Sequence, residues 1–457
     1  MAPLPHRYEH SIIAQCTPHG SGALALIRLS GSNAIEIADK FALLGSGKSL
    51  RDAKTHTIHY GWVVAPDGTH IDQVLFLLMH APRTFTGQDT IEITCHNNPF
   101  IIEQIISLAI KFGARMATAG EFTQRAVANE KIDLLQAEAI NELIHANTQI
   151  GLKQSLAQLE GSFSSWFVSI EKQLIKALAL SEASFEFIDE EHLEFSAQIK
   201  KSLEDVQATI KKLQTQFDQQ KQIREGVRIA IIGSVNAGKS SLFNALLGSN
   251  RAIVTPIAGT TRDVIEAGLY KNGTYWTLID TAGLRETNDE IEQQGIERSF
   301  REAESADIIL LVVDAARELS AQETEIYTQL LAQHGNKIIM IASKSDLPAK
   351  NNFAQNSLKI SSTAKIGLQE VEQKIQEKID ALFTHVDSPF LLNKRQFNIL
   401  ASANEKLHTI LPLLDDPEFE IISYHLNDLL SDLSQLTGKS ISEAGMDAVF
   451  REFCVGK

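Results

Sequence analysis

The chain has 457 residues, 42 Lys and Arg against 57 Asp and Glu, a formal net charge of −15, and a composition that is 44% hydrophobic and 22% charged. That length exceeds what one hydrophobic core serves and predicts about two to four domains of soluble, globular character. The acidic balance excludes a broadly basic nucleic-acid surface, so any RNA contact must be a local patch or be shared with a partner. No apolar run suits a bilayer span, Met1–His10 lacks a signal-peptide core, and Cys16, Cys95 and Cys454 are too few and scattered for a disulfide framework. A cytoplasmic protein with no membrane association is expected.

Taken in chain order, residues 1–120 predict an α+β domain, with strands at Ala23–Leu29, Val74–Met79 and Ile91–Cys95 and a helix at Phe100–Lys111. Pro82–Asp89 mixes turn formers with charge. Residues 121–222 turn helical: Phe122, Ala126, Leu134, Leu135, Ala139 and Leu143 recur at a 3.6 period, as do Leu174, Ala177, Leu178 and Ser181. The acidic run Glu186–Glu194 reads as a solvated helix end in preference to a metal site, and Ala197–Ile223 as a second charged helix. Residues 223–384 alternate apolar strands, Val227–Ile232, Trp276–Asp280, Ile308–Asp314 and Lys337–Ala342, with amphipathic helices, the pattern of a doubly wound parallel sheet. Residues 385–457 return to helices at Asn393–Leu411 and Phe419–Leu436. The fold class predicted is multidomain α/β plus α, a nucleotide domain inserted between the halves of a helical one.

Gly233–Ser240 (GSVNAGKS) follows a strand and opens a helix, the setting in which backbone N–H groups converge on phosphates. Lys239 would reach the β/γ-phosphates and Ser240 ligate Mg²⁺, with Asn236, Ala237, Gly238 and Ser241 completing the cradle. Further on, Thr255, Pro256, Ile257, Ala258, Gly259, Thr260 and Thr261 form a loop whose threonine hydroxyl completes the Mg²⁺ shell. Asp280, Thr281, Ala282 and Gly283 end a strand, as a carboxylate holding the metal's water and a γ-phosphate sensor would. Ser343, Lys344, Ser345 and Asp346 follow another, and the Asp346 carboxylate suits the guanine N1 and 2-amino donors, which adenine lacks. This order predicts a Ras-like guanine-nucleotide switch. Leu284 stands where many such GTPases carry a water-orienting glutamine, so another group is expected to orient the water, with Glu286, Asp289, Glu290 and Glu292 as candidates.

Taken together, IAQCTPHGSGALALIRLSG, FTGQD, GEFTQRAVANEKIDLLQAEAI, GSVNAGKSSLFNAL, TPIAGTTRD, DTAGLRET and the terminal FCVGK resemble the MnmE (TrmE) family of tRNA-modification GTPases over essentially the whole length. The resemblance implies an N-terminal domain that dimerises and binds a 5-formyl- or methylene-tetrahydrofolate through Arg28, Glu92, Lys131 and Lys457. It implies K⁺ held by Asn236, Thr255, Ile257 and Thr260, Mg²⁺ held by Ser240 and Thr261, and Glu292 as the catalytic acid. Ser361, Ser362 and Thr363 would form the last base-side loop. It further implies a heterotetramer with a flavin protein, MnmG (GidA), whose FAD supplies redox chemistry for adding a carboxymethylaminomethyl or aminomethyl group to carbon 5 of the wobble uridine of certain tRNAs.

Departures from the family pattern are Ser343 for its asparagine, expected to lose an amide that contacts the base and braces the phosphate loop, Asn97-Asn98 for Gly-Gly, a turn expected to tolerate positive φ but to crowd its surroundings, and Ser361-Ser362-Thr363 for Ser-Ala-Lys, a mild change. Cys454 is either a buried, inert thiol or a group shaping an active site. The rival functions are a GTP-gated RNA-binding or ribosome-assembly factor without modification chemistry, and a folate-binding scaffold with a vestigial G domain.

Overall fold

In the computed structural model, the described residues are 10–20, 22–184, 189–217, 220–248, 265–280, 300–353, 357–361, 364, 366–384, 388–415 and 417–456. They form two compact units, one made of residues 1–141, 157–210 and 395–457, the other of 142–156 and 211–394.

The first unit begins with strands β1 (Ile12–Gln15), β2 (Leu24–Ser30), β3 (Ala42–Leu44), β4 (Thr57–Val64), β5 (His70–Met79), β6 (Thr90–His96) and β7 (Arg115–Met116). They pair in the order β3-β4-β5-β6-β2-β1-β7, antiparallel except for β1 with β7. Alternation along each strand sends Ile27, Leu29, Phe76, Leu78, Ile91 and Ile93 to one face, where the helix Pro99–Lys111 adds Ile102 and Ile105. Burial, with Asp72 adding to it, pushes the Cys95 thiol on that face up to about 11, so it is an inert core group. The opposite face is covered differently along its width. Over β1, Phe122 of the helix Glu121–Ala128 packs on Ile12 and Ala14. Farther along, Leu43, Ile58, Tyr60 and Leu75 are exposed.

Two sequence expectations change here. Neither Asn97 nor Asn98 adopts positive φ: Asn98 has φ −120° and caps the helix Pro99–Lys111 by accepting from the Phe100 N–H, and the Asn97 amide donates to the Gly20 carbonyl at 2.8 Å. Asparagine carries a short polar side chain that Gly-Gly lacks, so the turn becomes an N-cap. The expected helix Ala197–Ile223 is instead Asp189–Thr215 followed by Lys221–Glu225. Buried Gln220 donates to the Phe390 carbonyl and accepts from the Leu392 N–H, partners that lie outside any continuing helix. The acidic run enters the first of these helices at Asp189, and its side chains lie outside the described residues.

The helices of the first unit carry apolar stripes: Phe163, Phe167, Ile170, Leu174 and Ala177 in Ser162–Ala183, and Ile422, Leu426, Leu429 and Leu433 in Phe419–Ser434. Ser181 donates to the Phe419 carbonyl at 3.0 Å between them. Arg395 grips Glu138 at 2.6 and 2.7 Å and also donates to the Gln435 carbonyl, joining helices from before and after the nucleotide domain.

The second unit holds β8 (Val227–Ile232), β9 (Ile265–Lys271), β10 (Thr274–Asp280), β11 (Ile308–Asp314), β12 (Ile338–Ser343) and β13 (Leu358–Lys359). Their order is β13-β12-β11-β8-β10-β9, parallel except for the edge strand β9. β8 and β11 start and end where the apolar runs predict, and β11 is buried at every position, as a central parallel strand requires. β9 escaped the sequence reading, although Asn272-Gly273, both at positive φ, is a strong hairpin signal.

Candidate functional site

The carboxyl ends of β8, β10, β11 and β12 deliver Gly233–Ser240, Asp280, Asp314 and Ser343 to one edge of the sheet, where open α/β sheets bind their ligands. Gly233 must be glycine because a Cβ would collide with the Val312 carbonyl, and Asn236 and Gly238 turn the loop at φ 57° and 94°. The helix Lys239–Gly248 begins directly after this turn. Lys239 is 6% exposed and donates to the Gly233 and Ser234 carbonyls at 2.8 and 2.7 Å. Burial lowers the pKa of its ammonium and the nearby Asp280 carboxylate raises it, with burial prevailing. The Ser240 hydroxyl donates to Asp280 Oδ2 at 2.9 Å, which brings together two hard oxygen groups suited to Mg²⁺ and its water shell.

On the base side, buried Ser343 donates to the Ala237 carbonyl at 2.6 Å, with the Val313 carbonyl at 3.2 Å. The expected loss of the brace on the phosphate loop is therefore corrected: a hydroxyl on this strand end still reaches that loop. Lys344, at φ 54°, donates to Asp314 Oδ2 at 2.6 Å. Asp346 is exposed in the turn that follows, while Ser345 N–H donates to the Ile360 carbonyl. Ser361 is buried, with its hydroxyl accepting from the Ala364 N–H. Asp314 and Arg317 were missed from the sequence. Ser320 and Glu323 form a capping box at the start of the helix Ala321–His334, and that signal marks Asp314–Leu319 as a strand-to-helix loop worth inspecting.

In the first unit, Arg28 and Glu92 are register partners on β2 and β6 and form an ion pair at 2.7 to 2.8 Å. The Arg28 guanidinium lies 5.8 Å from the Phe85 ring and 5.5 Å from that of Phe122. Lys131 donates to the Pro82 carbonyl at the start of the loop that carries Phe85. The C-terminal segment returns to this domain: Val455 bridges Ala119, the Gly120 N–H donates to the Cys454 carbonyl, and the Cys16 thiol donates to the Gly456 carbonyl at 3.1 Å. Cys454 is exposed, which removes the buried, inert reading of this thiol. Close by, Glu121 is 1% exposed; burial pushes its pKa up, but Arg115, the Thr118 N–H and Arg125 prevail and hold it at about 2. The residues Thr255 to Thr261, Thr281 to Leu284, Glu286, Asp289, Glu290, Glu292, Ser362, Thr363 and Lys457 lie outside the described residues.

A phosphate loop between strand and helix, a metal-side aspartate from the neighbouring parallel strand and a base-side loop two strands away define a P-loop GTPase. Family models for the MnmE helical domain and the GTP-binding protein TrmE N-terminus match residues 134–454 and 11–131. The tRNA modification GTPase MnmE of Enterococcus faecalis is 38% identical over 461 residues, and that of Ligilactobacillus salivarius 37% over 460, each match covering 98% of both chains. Among solved structures, the G domain of the T. maritima FeoB iron transporter matches 34% of this chain and 98% of its own at 24% identity, with a TM-score of 0.24. The chain belongs to the MnmE (TrmE) family of tRNA modification GTPases. It is a GTP hydrolase of tRNA modification.

Proposed function

We propose that the chain is a potassium-activated GTPase which, as a cytoplasmic homodimer joined to a flavin protein of the MnmG (GidA) kind, adds a carboxymethylaminomethyl or aminomethyl group to carbon 5 of the wobble uridine in certain tRNAs. The observation that carries this reading is the pairing of Arg28 with Glu92 beside Phe85, in the same domain to which the Cys454–Gly456 segment returns. A guanidinium, a carboxylate and a half-exposed ring fit a tetrahydrofolate, which offers an anionic glutamate tail, a pterin edge of donors and acceptors, and a flat apolar ring. Arg28, Glu92, Lys131 and Lys457 would hold it. The folate supplies the one-carbon unit, and the partner's FAD the redox chemistry.

Homodimerisation is supported by the sheet face on which Ile58 is 64% and Tyr60 55% exposed, with Leu43 and Leu75 beside them. Register sets Ile58 opposite Leu77, Leu77 opposite Glu92 and Glu92 opposite Arg28, so the apolar patch and the ion pair share one face. Among the described residues no helix is long and apolar enough to cross a membrane.

In the nucleotide domain, Asn236 is exposed on the phosphate loop at φ 57°, and its side-chain amide would offer K⁺ a hard oxygen. Thr255, Ile257 and Thr260 would complete that shell, Ser240 and Thr261 the Mg²⁺ shell, and Glu292 would orient the attacking water in place of the glutamine replaced by Leu284. The test is GTP turnover in KCl and NaCl at matched ionic strength, together with Glu292→Ala. A strong potassium preference and a variant that binds nucleotide without turning it over are expected. Equal rates in the two salts would remove K⁺ from the reading, and normal turnover by the variant would reassign the water.

A further inference from the structure

Ser234 is held from three directions. Its carbonyl accepts from Lys239 Nζ at 2.7 Å. Its backbone N–H donates to the Tyr327 hydroxyl at 2.9 Å, and its side-chain oxygen accepts from Arg317 Nη2 at 2.8 Å. The last two partners belong to the loop and helix that follow β11, and neither is part of the nucleotide-binding motifs.

Their own placement is firm. Arg317 also makes a two-pronged ion pair with Glu323, whose Oε2 additionally accepts from the Ser320 N–H at 2.9 Å in the capping box. Arg317 depresses Glu323 to a pKa of about 2, so the pair is ionised throughout the neutral range. Tyr327 is 3% exposed and packs edge-on against Phe353 at 5.9 Å. Asn351 donates to the carbonyls of Asp314 and Arg317, and Asp314 in turn receives Lys344 of the base-side loop.

We propose that Arg317 is a positioning residue for GTP turnover, fixing through Ser234 the turn of the phosphate loop whose carbonyls hold Lys239. The physical argument is geometric. Lys239 donates to the Gly233 and Ser234 carbonyls, so any rotation of that turn moves the acceptors that aim its ammonium. Arg317 is a planar fork that pairs with Glu323 through Nη1 and Nη2 while Nη2 also reaches Ser234; a lysine, one bond shorter and with a single nitrogen, cannot keep both prongs to Glu323 and the reach to Ser234. The capping pair alone would be a partly exposed ion pair of small energetic value, with no effect on nucleotide. The coupling to Ser234 is what connects it to the reaction.

The experiment uses the full chain and compares Arg317→Lys, Arg317→Ala, Ser234→Ala and the Arg317→Ala/Ser234→Ala double variant. Readouts are kcat and KM for GTP, the release rate of a fluorescent GDP, and the thermal midpoint. The expected result is a KM and a release rate raised about five- to tenfold in Arg317→Lys and Ser234→Ala, as for loss of one charge-assisted hydrogen bond, with a midpoint close to the parent's. The double variant should be no worse than Arg317→Ala, because both changes remove the same contact. Nucleotide parameters within twofold of the parent in Arg317→Lys and Ser234→Ala, or fully additive losses in the double variant, would overturn the proposal. If Arg317→Ala does not fold, Arg317→Lys and Ser234→Ala decide it.

Discussion

The two candidate sites of this chain are built on opposite principles. The nucleotide site is assembled mainly from consecutive residues: Gly233–Ser240 is one turn between a strand and its own helix, and Asp280 and Ser343 arrive at the ends of strands whose parallel order leaves them nowhere else to emerge. The N-terminal site is made of residues distant in sequence. Arg28 and Glu92 meet across an antiparallel register, and the Cys454–Gly456 segment joins the same domain from the far end of the chain. A contiguous site tolerates changes elsewhere as long as its strand and helix persist. A site of separated pieces depends on buried polar connections such as Glu121 with Arg115 and Arg125, so its weak points lie away from the ligand.

Lys239→Ala breaks the first site at its centre. GTP turnover should fall by about a thousandfold or more, roughly 4 kcal/mol of transition-state stabilisation, while binding of a formyl-tetrahydrofolate measured by calorimetry stays unchanged. A parallel loss of folate affinity would show that the two sites are not independent.

Glu121→Gln attacks the framework of the second site. Arg125 is fully buried and keeps the Gln88 side chain and the His10 carbonyl, but loses its charge partner, so destabilisation of about 3 kcal/mol in urea unfolding is expected. The pH dependence has a defined sign. Because the folded carboxyl is held at about 2, below its ordinary 4.5, its contribution is complete above pH 4.5 and is lost as the pH falls from there towards 2. The gap between parent and Glu121→Gln should therefore narrow as the pH falls from 4.5 towards 2, to be read as converging unfolding midpoints. A gap that stays constant across that range would exclude ionised Glu121 as its source.

Arg28→Ala should weaken a formyl-tetrahydrofolate by about tenfold or more and leave GTP turnover intact, the mirror image of Lys239→Ala. The smallest effect is expected from Ser343→Ala. Loss of the hydroxyl that reaches the Ala237 carbonyl should weaken GDP binding by only a few-fold, about 1 kcal/mol, in a fluorescence titration. A change larger than that of Arg28→Ala on its own ligand would mean that the base-side brace matters more than one hydrogen bond.

Much of the nucleotide domain was legible without coordinates. Buried parallel strands read as unbroken apolar runs, so Val227–Ile232 and Ile308–Asp314 had their bounds in plain view, and a glycine-rich turn ending in Lys-Ser has one strong physical use. Local chemistry also revealed the long helical stripes, because a 3.6 period is a property of neighbours. The breaks in those patterns were not legible. Gln220 stands at the start of a separate short helix, its side chain meeting the Phe390 carbonyl and the Leu392 N–H, and Asn98 caps a helix at a turn expected only to tolerate positive φ. Ser343 keeps a brace that its missing amide seemed to remove, because strand order brings β12 to the phosphate loop. Nothing along its own segment marks Arg317 out; the Ser234 hydroxyl beside it does. Composition and periodicity report what a residue needs along its own segment; a hydrogen bond across 83 positions, such as Arg317 to Ser234, or across 440, such as Cys16 to Gly456, depends on how the folded segments close on one another, and only the packed chain supplies that.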